Sequence, residues 1–189
     1  MFEVLSFRLI DVMWLMGIFF KNYVFIKINN FINIFLINKN KKMSLIIPDL
    51  YLCSQFEAST FCNNETANII INAAIEVHHP IVPNMTIVNL NWDDIPSQNI
   101  NINNTLFRMI DIIDSYLIND QKVVVNCYAG VSRSSSIVIA YVMYKYKLTL
   151  EEAYQYVKSK RPIVNPNNGF MRQLKELEPF LLTYKKYKK

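Results

Sequence analysis

The chain has 189 residues, of which 52% are hydrophobic, 13% aromatic and 19% charged. This length predicts one domain with a buried core and argues against two, and the composition excludes a largely disordered chain. Three cysteines exclude a disulfide scaffold. There are three glycines, against a usual share of about 7%. We therefore expect each glycine to have a reason in the backbone.

The formal charge of +5 comes from the two ends of the chain. Residues 1–42 carry six basic and two acidic side chains, and the tail 185–189 carries four lysines, so residues 43–184 have a net charge of −3. An acidic body has no basic groove, so the charge pattern argues against a nucleic-acid partner.

Residues 1–42 differ in composition from the rest of the chain. Their longest apolar run, Val12–Phe20, has nine residues, whereas a membrane-spanning helix needs roughly 18–20. Three alternatives remain: an interfacial membrane segment, a packed extension, or an upstream extension of a reading frame that starts at Met43. We favour the third over membrane contact, and divide the chain into an extension (1–42), a domain (43–184) and a basic tail (185–189).

The first half of the domain contains three predicted strands and one short helix. In chain order these are a strand over Leu45–Leu52 with a turn at Pro48-Asp49, a helix over Gln55–Phe61, and strands over Ala67–Ala73 and Thr86–Asn91. A polar loop, Asn91–Asn103, follows.

The second half is mostly helical. It contains an amphipathic helix over Thr105–Leu117, a strand over Lys122–Asn126, and a helix over Ser134–Tyr146 that is apolar nearly all round. Thr149 and Glu152 form a capping box that opens another helix, and a last helix follows the turn Asn165–Gly169. The order predicts an α/β fold with a central, mostly parallel sheet flanked by helices.

The segment between the last strand and the apolar helix carries the chemistry. Cys127 begins a loop that ends at Arg133, the start of the helix. Helix N-termini favour anions, and they favour the thiolate form of a nearby cysteine. Gly130 lets the backbone wrap a ligand, and Arg133 offers a planar fork that matches two phosphate oxygens. The pattern predicts a thiolate nucleophile beside an oxyanion site.

This segment resembles the signature loop, Cys-X5-Arg followed by Ser, of the cysteine-dependent phosphatases, and specifically of the dual-specificity protein phosphatases of cellular and poxviral type. Three further stretches are similar to the family in the same order: Ile47–Ser54, Ile137–Met143 and Asn165–Leu174. Cys53 stands where the family usually has glycine. The resemblance covers nearly all of residues 43–184.

The resemblance implies roles for individual residues. Cys127 is the nucleophile, Ser134 stabilises its thiolate, and Asp94 is the general acid and base, with Asp93 as the alternative. The phosphate-binding loop consists of Tyr128, Ala129, Gly130, Val131, Ser132 and Arg133. The mechanism passes through a phosphocysteine and requires no metal or cofactor.

One residue departs from the family pattern. Asn126 stands where the family almost always has histidine, and a neutral amide can give a hydrogen bond but no charge. We therefore predict a supporting role for Asn126 with reduced turnover and a raised pH optimum. The alternative is a pseudophosphatase that binds phosphoprotein without efficient hydrolysis.

The same resemblance implies a class of substrate and a location in the cell. The loop contains neither the basic residues of phosphoinositide phosphatases nor the Thr-His pair of related RNA 5′-triphosphatases. A phosphoprotein carrying phosphotyrosine, phosphoserine or phosphothreonine is the expected substrate, inside the cell and in the cytoplasm, or in a host cell or virion if the protein is viral. His78 and His79 are expected to be loop residues without a metal, and Cys53 and Cys62 reduced core thiols.

Overall fold

The computed structural model describes residues 43–64 and 67–185, without the side chains of residues 61–64. The predicted extension 1–42 and residues 186–189 of the predicted tail lie outside the described residues. In the part that is described, no helix is long and apolar enough to cross a membrane.

Five strands form one sheet. They are β1 (Ser44–Ile47), β2 (Leu50–Ser54), β3 (Ile69–Ala74), β4 (Thr86–Trp92) and β5 (Val123–Cys127). Their order across the sheet is β1-β2-β5-β3-β4. Only the edge strand β1 is antiparallel to its neighbour, and the other pairs are parallel. The predicted α/β fold with a mostly parallel sheet is confirmed.

Five α-helices flank this sheet within the described residues. They are α1 (Gln55–Asn64), α2 (Thr105–Ile118, preceded by a 3-10 turn at Ile102–Asn104), α3 (Arg133–Tyr146), α4 (Leu150–Lys160) and α5 (Asn168–Thr183). α1 contacts β2 and β5, while α3 contacts β5, β3 and β2 and is surrounded by α2, α4 and α5. As its composition predicts, α3 is buried continuously from Arg133 to Met143.

Strand β5 lies at the centre of the sheet, and its side chains pack into two hydrophobic cores. Val123, Val125 and Cys127 belong to the large core beneath α2–α5, whereas Val124 belongs to a small core with Cys53 and Ala58. This alternation follows from the two-residue period of a strand. The carboxyl end of β5 therefore delivers Cys127 to the N-terminal end of α3, between β2 and β3.

Gly169 lies in the first turn of α5 and not in the preceding turn where the sequence suggested it. The helix begins earlier because Asn167 caps it, with its side chain accepting a hydrogen bond from the Phe170 N–H. Gly169 is required by a close approach instead: an added Cβ would lie 1.9 Å from the carbonyl oxygen of Pro96.

The loop after β4 is anchored on α5 by Gln173. Its Nε2 donates to the carbonyl of Gln98 at 2.8 Å, and its Oε1 accepts from the N–H of Ile100 at 2.9 Å. Together with the contact between Pro96 and Gly169, these bonds fix residues 93–100 against the helix.

We predict that Gly169→Ala lowers the free energy of unfolding by about 1–3 kcal/mol, because the new methyl group overlaps a backbone carbonyl that other contacts hold in place. Urea denaturation measures the change. Asn168→Ala, at the exposed neighbouring position, is the control. Equal effects of the two substitutions would contradict the close approach.

Candidate active site

Cys127 lies where β5 ends and is 1% exposed. Its Sγ accepts hydrogen bonds from the backbone N–H of Gly130 at 3.2 Å and from the hydroxyl of Ser134 at 3.1 Å. In both bonds the sulfur is the acceptor. The structure thus brings Cys127, Gly130 and Ser134 together.

The carbonyl groups of residues 128–131 all point away from the sulfur. Each accepts a hydrogen bond from outside the loop. In the order of residues 128 to 131, the donors are Gln55 N, Arg161 Nη2, Arg161 Nε and Asn165 N. In a planar trans peptide the N–H points opposite to the C=O. The following N–H groups are therefore directed inward, next to the N-terminus of α3, which forms an anion site.

Gly130 is restricted in two ways. Its φ of +68° lies in the left-handed region, which side chains disfavour. An added Cβ would also lie 2.5 Å from the carbonyl oxygen of Cys53 and 2.7 Å from Arg161 Nη2. The loop accordingly has no room for a side chain at this position.

Arg133 is 5% exposed and is held by the end of β4 and by the loop after β3. Glu76 accepts from both terminal nitrogens at 2.6 Å, and Nη1 also donates to the carbonyl of Trp92 at 3.1 Å. Burial lowers the pKa of Arg133, but the Glu76 hydrogen bonds and nearby negative groups outweigh it and raise that pKa. The Nε atom is buried without a hydrogen-bond partner in the described part of the chain.

Of the two candidate acids, Asp94 is the one that contacts the loop. Its Oδ1 accepts from the Ser132 hydroxyl at 2.6 Å and from Asn167 Nδ2 at 2.9 Å. Its Oδ2 lies 3.7 Å from Arg133 Nε. Asp93 is exposed, and its backbone N–H donates to Gln98.

Sequence reasoning did not identify the ion pair between Arg161 and Glu57. The two side chains are 5% and 6% exposed, and Arg161 Nη2 lies 2.9 Å from Glu57 Oε2. Glu57 also accepts from the Ser54 N–H at the start of α1. Arg161 is thereby held so that it donates to the carbonyls of Ala129 and Gly130. A charged residue just before Pro162 was the only signal in the sequence.

Sequence reasoning also left Glu76 and His79 without a role. Glu76 binds Arg133, which keeps the pKa of Glu76 below its usual value. His79 Nε2 lies 3.1 Å from the Oδ1 atom of the fully buried Asn126. Burial lowers the pKa of His79, and the hydrogen bond to Asn126 opposes this only in part. His78 is exposed, as expected of a loop residue.

Cys53 and Cys127 are both buried. Cys53 lies in the small core and Cys127 in the large core, on opposite faces of the sheet. The arrangement does not pair them as a disulfide. The side chain of Cys62 lies outside the described residues.

We predict that Arg161→Met lowers the free energy of unfolding by about 3–5 kcal/mol, since it leaves the Glu57 carboxylate buried without its partner. Chemical denaturation measures this, and the double variant Glu57→Gln/Arg161→Met should lose less than the sum of the single variants. Arg172→Met is the matched control, because Arg172 is 70% exposed and pairs with Glu176 at 3.9 Å. A loss no larger than that of the control would contradict a structural role for the ion pair.

Comparison with known proteins shows the family of this chain. The family model described as dual specificity phosphatase, catalytic domain, matches residues 50–180. Dual specificity protein phosphatase 5 of Rattus norvegicus is 39% identical over 140 residues, which are 72% of this chain and 36% of that protein. The chain spans about a third of the length of such curated relatives.

Solved structures of phosphatases have a fold similar to that of this chain. The crystal structure of DUSP15 superposes with a TM-score of 0.69 at 28% identity, covering 75% of this chain and 90% of that one. The human tyrosine phosphatase-like serine/threonine/tyrosine-interacting protein gives 0.65 at 29% identity, covering 76% and 100%. The family model, which matches more than half of the chain, shows that the chain belongs to the dual specificity phosphatase family.

Proposed function

We propose that this chain hydrolyses phosphate monoesters on proteins, accepting phosphotyrosine as well as phosphoserine and phosphothreonine, through a phosphocysteine intermediate. The observation that carries the proposal is the position of Cys127 Sγ at the centre of a loop whose carbonyls all point outward. Arg133 ends this loop, and its buried Nε makes no hydrogen bond in the described part of the chain and lies 3.7 Å from Asp94 Oδ2. Such a site suits a phosphoryl group with three equatorial oxygens.

In the first step the Cys127 thiolate attacks phosphorus, a sulfur–phosphorus bond forms, and the ester P–O bond breaks. The loop N–H groups and Arg133 stabilise the charge on the phosphoryl oxygens. The leaving oxygen takes a proton from Asp94. Because Ser132 and Asn167 occupy Oδ1, Oδ2 is the oxygen we assign to this transfer.

In the second step water hydrolyses the intermediate. The Asp94 carboxylate removes a proton from the water molecule. The water oxygen then bonds to phosphorus, and the sulfur–phosphorus bond breaks. The sulfur leaves as a thiolate that accepts hydrogen bonds from Ser134 and Gly130. The enzyme returns to its starting state and releases inorganic phosphate.

The entrance to the loop supports a phosphoprotein substrate. Tyr128, the first residue after the cysteine, is 52% exposed, and no lysine or arginine stands between Cys127 and Arg133. An aromatic side chain at the entrance suits contact with a peptide, whereas polyanionic headgroups require cations.

The second candidate function is a phosphoprotein-binding module without efficient hydrolysis. Asn126 in place of histidine favours it, and one structural neighbour at 29% identity is itself named a phosphatase-like interacting protein. The complete set of Cys127, Arg133, Ser134 and Asp94 favours hydrolysis over binding alone.

The full chain, assayed on phosphotyrosyl and phosphoseryl peptides, tests the proposal. Cys127→Ser should abolish phosphate release, and Asp94→Asn should lower kcat by about 10²–10⁴-fold because the leaving oxygen loses its proton donor. The loss should be larger for the alkoxide of serine than for the more acidic phenol of tyrosine. Asp93→Asn is the matched control and should leave kcat unchanged.

Two results would contradict this proposal. If wild type releases no more phosphate than Cys127→Ser while both bind the peptides, the chain is a binding module. If Asp93→Asn and Asp94→Asn lose equal activity, the general acid is misassigned.

We predict that Asn126→His raises kcat and moves the acidic limb of the kcat/KM profile to lower pH by about one unit, since an imidazolium adds positive charge beside the sulfur. A pH series from 5 to 9 measures the shift. Asn126→Gln keeps a neutral amide and is the control. A similar shift in both variants would show that charge at position 126 is not responsible.

A further inference from the structure

The segment Glu76–His79, in the loop after β3, contacts both ends of the signature loop. Glu76 binds Arg133 where the loop ends, and His79 binds Asn126 just before the loop begins. Asn72 holds this segment in place, because its Nδ2 donates to the carbonyl of Val77 at 2.7 Å. One short stretch of chain thus fixes the two residues that bracket the nucleophile.

The contact between His79 and Asn126 joins a half-buried side chain to a fully buried one and leaves a polar atom of each unpaired. Asn126 Oδ1 carries no hydrogen, so Nε2 of His79 must be the donor across the 3.1 Å. Asn126 Nδ2 and His79 Nδ1 are both buried and without a hydrogen-bond partner in the described part of the chain. Two unpaired polar atoms cost stability that an apolar pair would avoid, so packing alone does not account for these residues.

The surroundings of His79 favour the neutral imidazole. Burial lowers the pKa of His79 from its ordinary value, and its Nδ1 has no acceptor beside it that would favour a second proton. The ring therefore offers Asn126 a hydrogen bond and no positive charge. Its effect on the site is to fix the orientation of the Asn126 side chain.

We propose that His79 is a positioning residue for the phosphatase reaction, which holds Asn126 and, through it, the peptide that carries Cys127. The imidazole comes from the loop after β3 and contacts the residue before the cysteine, where the sequence itself has no histidine. The inference rests on the proposed function.

This role has a specific kinetic consequence. Without the Nε2–H donor, the Asn126 side chain can rotate to pair its own Nδ2, which disturbs the peptide between residues 126 and 127. The sulfur then loses its alignment with phosphorus. Phosphate binding depends on the loop N–H groups and Arg133, so kcat falls while KM stays.

His79→Met and His79→Gln form a matched pair for the test, because the two side chains have similar length and only Gln can donate to Asn126. In the full chain we expect His79→Met to lower kcat about fivefold, the effect of about one neutral hydrogen bond, with KM unchanged. His79→Gln should restore kcat to near wild type. His78→Met, at the exposed neighbouring position, should change neither constant.

Alkylation of Cys127 by iodoacetamide across pH 5–9 gives a second readout that needs no turnover. We expect slower alkylation in His79→Met than in His79→Gln or wild type. The charged groups around the sulfur, Arg133, Asp94 and Glu76, are the same in all variants, so a difference reports the contact with Asn126.

Two sets of results would overturn the inference. In one, His79→Met matches wild type in kcat and alkylation, or His79→Gln fails to restore them. In the other, KM rises as much as kcat falls, which would mean that the substitution acts through Glu76 and Arg133. If wild type alkylates normally but hydrolyses nothing, the proposed function fails, and the alkylation comparison still decides the role of His79.

Discussion

The buried ion pair between Arg161 and Glu57 is the interaction on which the site depends. The Arg161 guanidinium donates hydrogen bonds to the carbonyls of Ala129 and Gly130 and so holds them outward. Because the peptides are planar, the adjoining N–H groups are then directed inward. The positive character of the loop is thus produced by backbone orientation, and it persists without any basic side chain between Cys127 and Arg133. The same cation excludes a side chain at Gly130.

Two other parts of the fold complete the site from opposite sides. The segment Glu76–His79 contacts Arg133 and Asn126, while α5 holds the loop that carries Asp94 through Gly169, Gln173 and Asn167. The nucleophile, the anion site and the candidate acid are therefore placed by contacts between elements far apart in the sequence. A rigid arrangement suits catalysis because it needs little reorganisation during the reaction.

The sequence predicted most of the elements because their signals are local: the period of α2, the apolar α3, and the capping box before α4. It also predicted that Cys127, Gly130, Arg133 and Ser134 come together, since they lie in one short segment of the sequence. It could not pair Glu57 with Arg161 or His79 with Asn126, because those contacts join residues distant along the chain and follow only from the strand order. The predicted position of Gly169 in a turn is wrong because the sequence does not show which asparagine of this stretch caps the helix, and the close approach of Pro96 joins residues distant along the chain.

The residue before the cysteine can support a thiolate in two ways, by charge and by orientation. A histidine at that position supplies both charge and orientation. Asn126 has no charge, and it has no imidazole of its own. The contact with His79 brings an imidazole to Asn126 from another part of the fold, but the ring is half-buried and burial lowers its pKa, which favours the uncharged form. On the proposed roles, orientation is therefore retained and charge is lost. A histidine before the cysteine would combine orientation with charge, whereas here Asn126 and His79 together supply orientation alone, so its contribution can be measured apart from that of charge.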